Sequence, residues 1–378
     1  MSSKRVVLAL SGGVDSAVSA VLLQQAGYDV HALFMRNWDD DEDAYCTAAA
    51  DLQDARRVCD DLGLPLHSVS FAAEYRARVF QHFLEELAAG RTPNPDVACN
   101  REIKFGACFE HALRLGADFF ATGHYAQTAT GRLLRGADSG KDQTYFLHSV
   151  PGAMLARTLF PIGHLPKSEV RRLARAHAIR VHDKRDSTGI CFIGERPFAE
   201  FLANYLPARP GLIETPEGRA LGTHRGLMYY TLGQRQGLEL GGVRGAAERP
   251  WYVAAKDLAR NTLVVVQEGD HALLLADEIH TEAVDWIAGA APVDARERFE
   301  CTVKTRYRQP DQPCSVEVQA DGGTIIRTTG PQRAVTPGQS AVFYQGETCL
   351  GGGVITEARL SSSASLPAQR HPDHISPL

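Results

Sequence analysis

No two cysteines of the 378-residue chain are spaced as CxxC, although cysteine occurs at positions 46, 59, 99, 108, 191, 301, 314 and 349. That absence argues against a structural zinc site, an iron–sulfur cluster and a secreted disulfide framework. Nowhere do about 18 apolar residues run together, so no transmembrane helix is expected. The opening MSSKRVVLAL has a charged start but too short an apolar run for a signal peptide, which leaves the cytoplasm as the expected compartment and no membrane as partner. Excess positive charge is missing as well: 40 Lys and Arg stand against 45 Asp and Glu, a formal net charge of −5. Such a balance does not advertise a nucleic-acid binder, yet a large RNA needs only a local basic face. Lys167 to Arg185, with Arg171, Arg172, Arg175, Arg180 and Lys184, is one such stretch, or else a solvated helix face.

What remains is an ordinary soluble composition, 44% hydrophobic and 22% charged, in a chain too long for one compact core. The first part alternates strand and helix patterns. Arg5–Leu10 is a short apolar run bounded by glycine, and Val14, Val18, Val21 and Leu22 then recur at helical spacing up to Gly27. Further strands are expected at Val30–Met35, Leu66–Phe71 and Asp118–Thr122, with helices over Tyr45–Leu62, Ala73–Ala89 and Glu102–Leu115 between them. This alternation predicts an α/β fold, a doubly wound parallel sheet, over 1–205. Beyond Tyr205 short β-type segments separated by Gly, Pro and Asp take over. They suggest a small linker domain over 206–280 and a C-terminal β-barrel over 281–358. Residues 359–378 have too little apolar content to pack and are expected to form a disordered tail.

The most informative segment joins the first strand to the first helix: Ala9, Leu10, Ser11, Gly12, Gly13, Val14, Asp15 and Ser16. Backbone N–H groups of a glycine turn and of a helix start can cradle a phosphate there, and the serine hydroxyls add donors. The loop lacks the lysine of GxxxxGK[ST] and the spacing of GxGxxG, so neither of those nucleotide loops fits.

Two cysteines stand apart from the rest. Cys99 ends the proline-containing run RTPNPDVAC and precedes a helical pattern, where a helix N-terminus would lower a thiol pKa. Cys191 lies in the glycine-flanked DSTGICFIG segment just after the basic stretch. The other six fall in helical or β-patterned segments and read as small packed hydrophobes. Asp96, three residues before Cys99, is placed to accept or donate a proton, or else serves as a turn residue after proline.

The hexapeptide SGGVDS resembles the signature of the PP-loop ATP-pyrophosphatase superfamily. That resemblance implies cleavage of ATP between its α and β phosphates and transfer of AMP to a substrate oxygen, with Asp15 helping to hold magnesium. Superfamily members make amide bonds, GMP, NAD, argininosuccinate or thiolated tRNA, so the loop alone does not fix the product. A nitrogen-accepting member would need a glutaminase domain or an ammonia route, and neither is found.

The phrases RTPNPDVACNREIKFG, ATGHYA, KDQTYFL, KRDSTGICFIGER, GLMYYTLGQRQGL, CTVKTRYRQ and TPGQSAVFY occur in order up to about Gly353. They are similar to the motifs of the bacterial tRNA-specific 2-thiouridylase family, which acts on the wobble uridine of the tRNAs for Lys, Glu and Gln. The resemblance implies ATP binding by Ala9 to Ser16 and Met35, with Gly123 near the adenosine. It implies a persulfide on Cys191, release of the transferred sulfur by Cys99, and proton transfer by Asp96. Asn94, Pro95 and Asp96 would surround the target base. His124, Lys141, Asp142, Gln143, Arg306, Tyr307 and Gln339 would touch tRNA. A sulfur donor protein, either a cysteine desulfurase or a relay protein, is the further partner implied. No protein-held metal is expected beyond the magnesium that accompanies ATP.

Overall fold

The computed structural model describes residues 3–38, 48–184, 198–240 and 249–361. Its first domain is built on β1 (Arg5–Ala9), α1 (Val14–Gln25), β2 (Asp29–Arg36), α2 (Ala48–Leu62) and β3 (Leu66–Ser70). Two long helices follow, each in unbroken pieces. One, α3, comprises Ala72–Tyr75, Arg76–Phe80 and Gln81–Ala88; the other, α4, comprises Pro95–Ala98, Cys99–Cys108 and Phe109–Arg114. Strand β4 (Phe119–Thr122) comes next. The sheet runs β3-β2-β1-β4 and ends on the short strand Thr158–Leu159, with every pairing parallel.

Alternation along β1 explains why helices cover both faces. Val6 and Leu8 pack with α1, α2 and the helix Lys167–Ala176, while Val7 and Ala9 join the other core, which α3 and α4 cover. Strand order reverses between β1 and β4. Chain segments leaving those two strands diverge there, and the crevice so formed is where open α/β sheets bind ligands.

The middle domain is a four-stranded sheet in the order Tyr252–Asp257, Thr262–Val266, Gly211–Glu214 and Ala220–His224, with Ile213, Val253, Leu263 and Val265 in its core. The last domain is a closed barrel. Its strands run Leu275–Thr281, Thr324–Arg333, Gln312–Val318, Arg298–Lys304, Ser340–Gln345 and Thr348–Arg359, and the last pairs back onto the first. The expected architecture of parallel sheet, small linker domain and barrel is therefore present. One feature escaped the sequence: a hairpin of the first domain, Ala126–Ala129 with Arg132–Arg135, pairs onto the barrel through Leu134 opposite Thr348 and Leu133 opposite Cys349. Two domains thus share one sheet. Among the described residues no helix is long and apolar enough to cross a membrane.

Candidate active site

The loop after β1 takes the shape its glycines allow. Gly12 adopts φ +74°, and a Cβ there would stand 2.4 Å from the Asp51 carbonyl oxygen, so only glycine fits under α2. Gly13 precedes α1 with no side chain capping the helix, which leaves its first-turn N–H groups directed at the crevice. Ser16 Oγ donates to Gly13 O at 3.1 Å and accepts from Ser11 N at 3.2 Å, tying the turn on itself. Gly123, just past β4, lies against the start of α1: a Cβ on it would be 2.8 Å from Ser16 N. Met35, half-buried near the end of β2, packs against the core beneath α3 and α4.

Asp15 is the charged centre of this loop. Its carboxylate accepts from Lys167 Nζ at 2.7 and 2.8 Å and from the Tyr125 hydroxyl at 2.8 Å. Lys184 Nζ donates to Gly12 O at 3.2 Å and to Asp51 and Asp54 at 2.8 and 2.6 Å. Burial pulls the Lys184 pKa down, but the hydrogen bonds it donates to these carboxylates outweigh it and the net displacement is upward. Sequence reasoning missed Tyr125, Lys167 and Lys184 as parts of the phosphate site. The two lysines were visible only as members of a basic stretch. The structure turns both inward, while Arg172 pairs with Glu169, Arg175 with Asp183 and Arg180 with Asp61.

The second half of the site is the start of α4. Asn94 is the N-cap, its Oδ1 accepting from Asp96 N at 3.1 Å, and Pro95 occupies the first helical position, where its missing N–H costs nothing. The helix therefore begins at Pro95, seven residues before the expected Glu102. Cys99 consequently lies one turn inside the helix, 2% exposed, beyond the first N–H groups that were expected to lower its pKa. Asp96 is exposed on the first turn of α4, yet enough protein surrounds its carboxyl to desolvate it in part. That desolvation pushes its carboxyl pKa up, and the Lys104 charge pulls against it. The same lysine acts on His124, whose pKa lies far below the ordinary value, first through burial and then through Lys104.

His124 shares a 2.7 Å hydrogen bond with Thr122 Oγ1, and its ring lies near Phe105 of α4 and Phe160. Burial disfavours its charged form, so a contact with RNA would be made by an uncharged ring. Gly123 touches the phosphate loop and His124 touches α4. The two halves of the site therefore flank the same strand end, at the switch point of the sheet.

The remaining expected RNA contacts divide by direction. Arg306 is exposed at the tip of a barrel hairpin, and the neighbouring Tyr307 ring lies 4.5 Å from that of Phe146. Lys141 is half-buried in a turn closed by its N–H to Asp138 O at 2.9 Å. Asp142, 6% exposed, points inward and accepts from Gly136 N and from the Thr144 N–H and hydroxyl. Gln143 exchanges hydrogen bonds with both backbone groups of Tyr125, and so fixes the residue that holds Asp15. Gln339 Nε2 donates to Thr92 O at 2.7 Å, and Thr92 N donates to Pro337 O at 2.9 Å. Thr92 Oγ1 also lies 3.4 Å from Thr231 Oγ1 of the middle domain. Cys191 lies outside the described residues, as does Cys46. No cluster of three or more His, Cys, Asp or Glu able to hold a metal occurs among the described residues.

Three family models match the chain in succession: a tRNA methyl transferase HUP domain over residues 4–195, a tRNA methyl transferase PRC-barrel domain over 199–267 and an aminomethyltransferase beta-barrel domain over 276–355. The tRNA-specific 2-thiouridylase MnmA of Hahella chejuensis is 58% identical over 358 residues, covering 93% of this chain and 97% of that protein. Its counterpart in Marinobacter nauticus is 56% identical, covering 97% of this chain and 94% of that protein. Among solved structures, a 4-thiouridine synthetase–RNA complex with bound ATP is 18% identical, covers 54% of this chain and 50% of that chain, and has a TM-score of 0.33. With 56 to 58% identity along nearly the full length of such relatives, the chain belongs to the tRNA-specific 2-thiouridylase family.

Proposed function

We propose that this chain replaces O2 of the wobble uridine in the tRNAs for Lys, Glu and Gln with sulfur, in the cytoplasm, by adenylating that oxygen and then displacing AMP. The observation that carries the reading is that Gly123 lies against the phosphate loop while the adjacent His124 ring lies near Phe105 of α4, the helix that also carries Cys99. A pyrimidine carbonyl is a poor electrophile because oxide or hydroxide leaves badly, whereas AMP leaves readily. Nucleotide chemistry and sulfur chemistry therefore need to share one base.

In the first stage the uncapped N–H groups at the start of α1, with Ser11 and Ser16, hold ATP phosphates. Lys167, held beside the loop by its ion pair with Asp15, supplies the counter-charge for leaving pyrophosphate. Magnesium would screen the phosphate charges, and one carboxylate oxygen pair suits an ion that arrives with its nucleotide and keeps most of its water. Asp15 is the residue that would hold it. Met35 and Gly123 border the nucleotide.

In the second stage Cys191 carries the incoming sulfur as a persulfide from a donor protein. Its terminal sulfur attacks C2, and the C2–O bond to AMP breaks. Cys99 then attacks Cys191 Sγ and breaks the S–S bond, closing a Cys99–Cys191 disulfide and leaving the sulfur on C2; in the alternative order the same attack on the free persulfide releases sulfide, which itself displaces AMP from C2. Asp96, with its raised pKa, exchanges the uracil proton. Asn94 and Pro95 border the base once it leaves the anticodon stack, while Arg306 and Tyr307 supply a cation and a stacking face.

Reconstitution tests this: purified chain, Mg-ATP, unmodified tRNA and a persulfide donor, read by nucleoside mass spectrometry. ATP-dependent 2-thiouridine that disappears in Cys191→Ser is expected. Release of AMP without a thiolated nucleoside would overturn the sulfur half, and thiolation without ATP would overturn the adenylation half.

A further inference from the structure

Cys301 and Cys314 face each other across the barrel strands Arg298–Lys304 and Gln312–Val318 as direct register partners, with their Sγ atoms 3.7 Å apart. Cys314 is 2% exposed and packs in the barrel core with Val303, Val316 and Phe343, whereas Cys301 is half-buried and reachable from solvent. Directly opposed residues of an antiparallel ladder hold their Cα atoms about 4.5 to 5.5 Å apart. That lies inside the roughly 4.4 to 6.8 Å that a disulfide spans, so side-chain rotation can close the sulfurs without moving a strand.

We propose that Cys301 and Cys314 are an oxidisable dithiol, a modification site at which a low-molecular-weight disulfide drives formation of a cross-strand bond. In the first step the Cys301 thiolate attacks one sulfur of RSSR; the S–S bond breaks and one RSH leaves, giving a mixed disulfide on Cys301. In the second the Cys314 sulfur attacks Cys301 Sγ, and the other RSH leaves. Two cysteine thiols are oxidised by two electrons, one RSSR is reduced to two RSH, and the two cysteine protons end on those thiols. Solvent access assigns the order: RSSR reaches Cys301, and Cys314 acts from within the core. Contact with Cys301, followed by burial, pushes the Cys314 thiol pKa up, which suits it to a step driven by proximity rather than to first attack.

The bond would lie near the foot of a hairpin. Beyond it, Thr302 pairs with Pro313 and Val303 with Gln312, and the tip carries Arg306 and Tyr307. A covalent link there restricts the hairpin and with it the Tyr307 ring beside Phe146. This consequence rests on the tRNA reading given above; the crosslink itself does not.

The test exposes the full chain to oxidised glutathione, alkylates the remaining thiols and maps peptides without reduction. A linked Cys301–Cys314 peptide pair is expected in the natural chain, and a stable glutathionyl group on Cys301 in Cys314→Ser. A stable glutathionyl group on Cys301 in the natural chain would overturn the proposal, and so would alkylation of both thiols in the natural chain together with alkylation of Cys301 in Cys314→Ser. Binding of tRNA to the oxidised chain, with Cys301→Ser treated identically as control, reads the consequence. A several-fold change in affinity reversed by dithiothreitol supports it. A linked pair with unchanged affinity removes the effect on RNA and leaves the crosslink standing.

Discussion

The phosphate loop and the Cys99 helix are held in opposite ways. The loop is fixed largely by its own neighbourhood: β1 leads into it, α1 leads out, and Ser11, Gly13 and Ser16 bond within it. The cysteine helix depends on distant chain. Its approach is gripped at Thr92 by Pro337 and Gln339 of the barrel and by Thr231 of the middle domain. At Gly90 it is gripped by Lys256, whose Nζ donates to the carbonyl at 3.0 Å and whose pKa burial pulls down to about 8. Within the helix, Arg101 pairs with Asp285 of the barrel, and Asn100 Nδ2 donates to Phe146 O at 2.9 Å. The loop's contacts thus stay within the first domain, whereas the cysteine helix rests on contacts from all three domains.

The sharpest way to break the comparison is to remove one chemical group from each half. Asp15→Ala should reduce tRNA-dependent pyrophosphate release and thiolation together, by about 100-fold or more if its role is electrostatic. Cys99→Ser should keep pyrophosphate release and lose the thiolated nucleoside. Loss of pyrophosphate release in Cys99→Ser would mean that the halves are a single unit.

Gly12→Ala tests the local half by shape alone. The new Cβ meets the Asp51 carbonyl at 2.4 Å in a backbone conformation with φ +74°. A non-glycine residue in that region costs about 1 to 2 kcal/mol before any clash is counted. ATP affinity and melting temperature should both fall, with tRNA affinity kept. A variant with natural ATP affinity would show that α2 yields easily and that the loop is less fixed than its hydrogen bonds suggest.

The same contrast explains what could be read from the sequence. SGGVDS is contiguous and sits between a strand and a helix pattern, so both its geometry and its chemistry are local properties. The parallel sheet was legible because β1, β2 and β4 are apolar runs between helical patterns. Lys167, by contrast, reaches Asp15 from 152 residues away, and Gln339 reaches Thr92 across 247. Neither partnership leaves a local trace, and a cation in a basic run looks the same whether it faces solvent or a carboxylate. Asp142 shows the reverse case: nothing in KDQ reveals that the carboxylate closes on Gly136 and Thr144. The start of α4 was misplaced because the prolines of RTPNPD suggested a loop throughout, whereas Pro95 is an N1 residue.

Gln339→Ala addresses the distributed half. It removes one hydrogen bond to Thr92 O, worth about 1 kcal/mol. Thiolation kcat should fall by about five- to tenfold if that energy is spent on placing the helix. Pyrophosphate release should stay near its natural rate. If tRNA affinity falls instead and kcat is unchanged, Gln339 touches the RNA directly and Pro337 and Thr231 suffice to hold Thr92.

The smallest effect expected comes from acid. Glu278, on the barrel strand Leu275–Thr281 and 7% exposed, bonds His280 at 3.0 Å, Arg359 at 2.7 Å and Arg327 at 3.0 Å. The hydrogen bonds from His280 and then Arg359 pull its carboxyl pKa from 4.5 down to about 2. A carboxyl depressed in the folded state stabilises it fully above the unfolded pKa, and that contribution is lost as pH falls from about 4.5 towards 2. Because both arginines are partly solvent-screened, the contribution is about 1 kcal/mol rather than the full displacement. Glu278→Gln should therefore lower barrel stability at neutral pH and flatten its acid limb, as read by thermal melts at stepped pH. Since the barrel holds Thr92 and Arg101, lowering the pH below about 4.5 should weaken thiolation before it weakens ATP binding in the natural chain. Simultaneous loss of both would show that the barrel supports the phosphate loop as firmly as the cysteine helix.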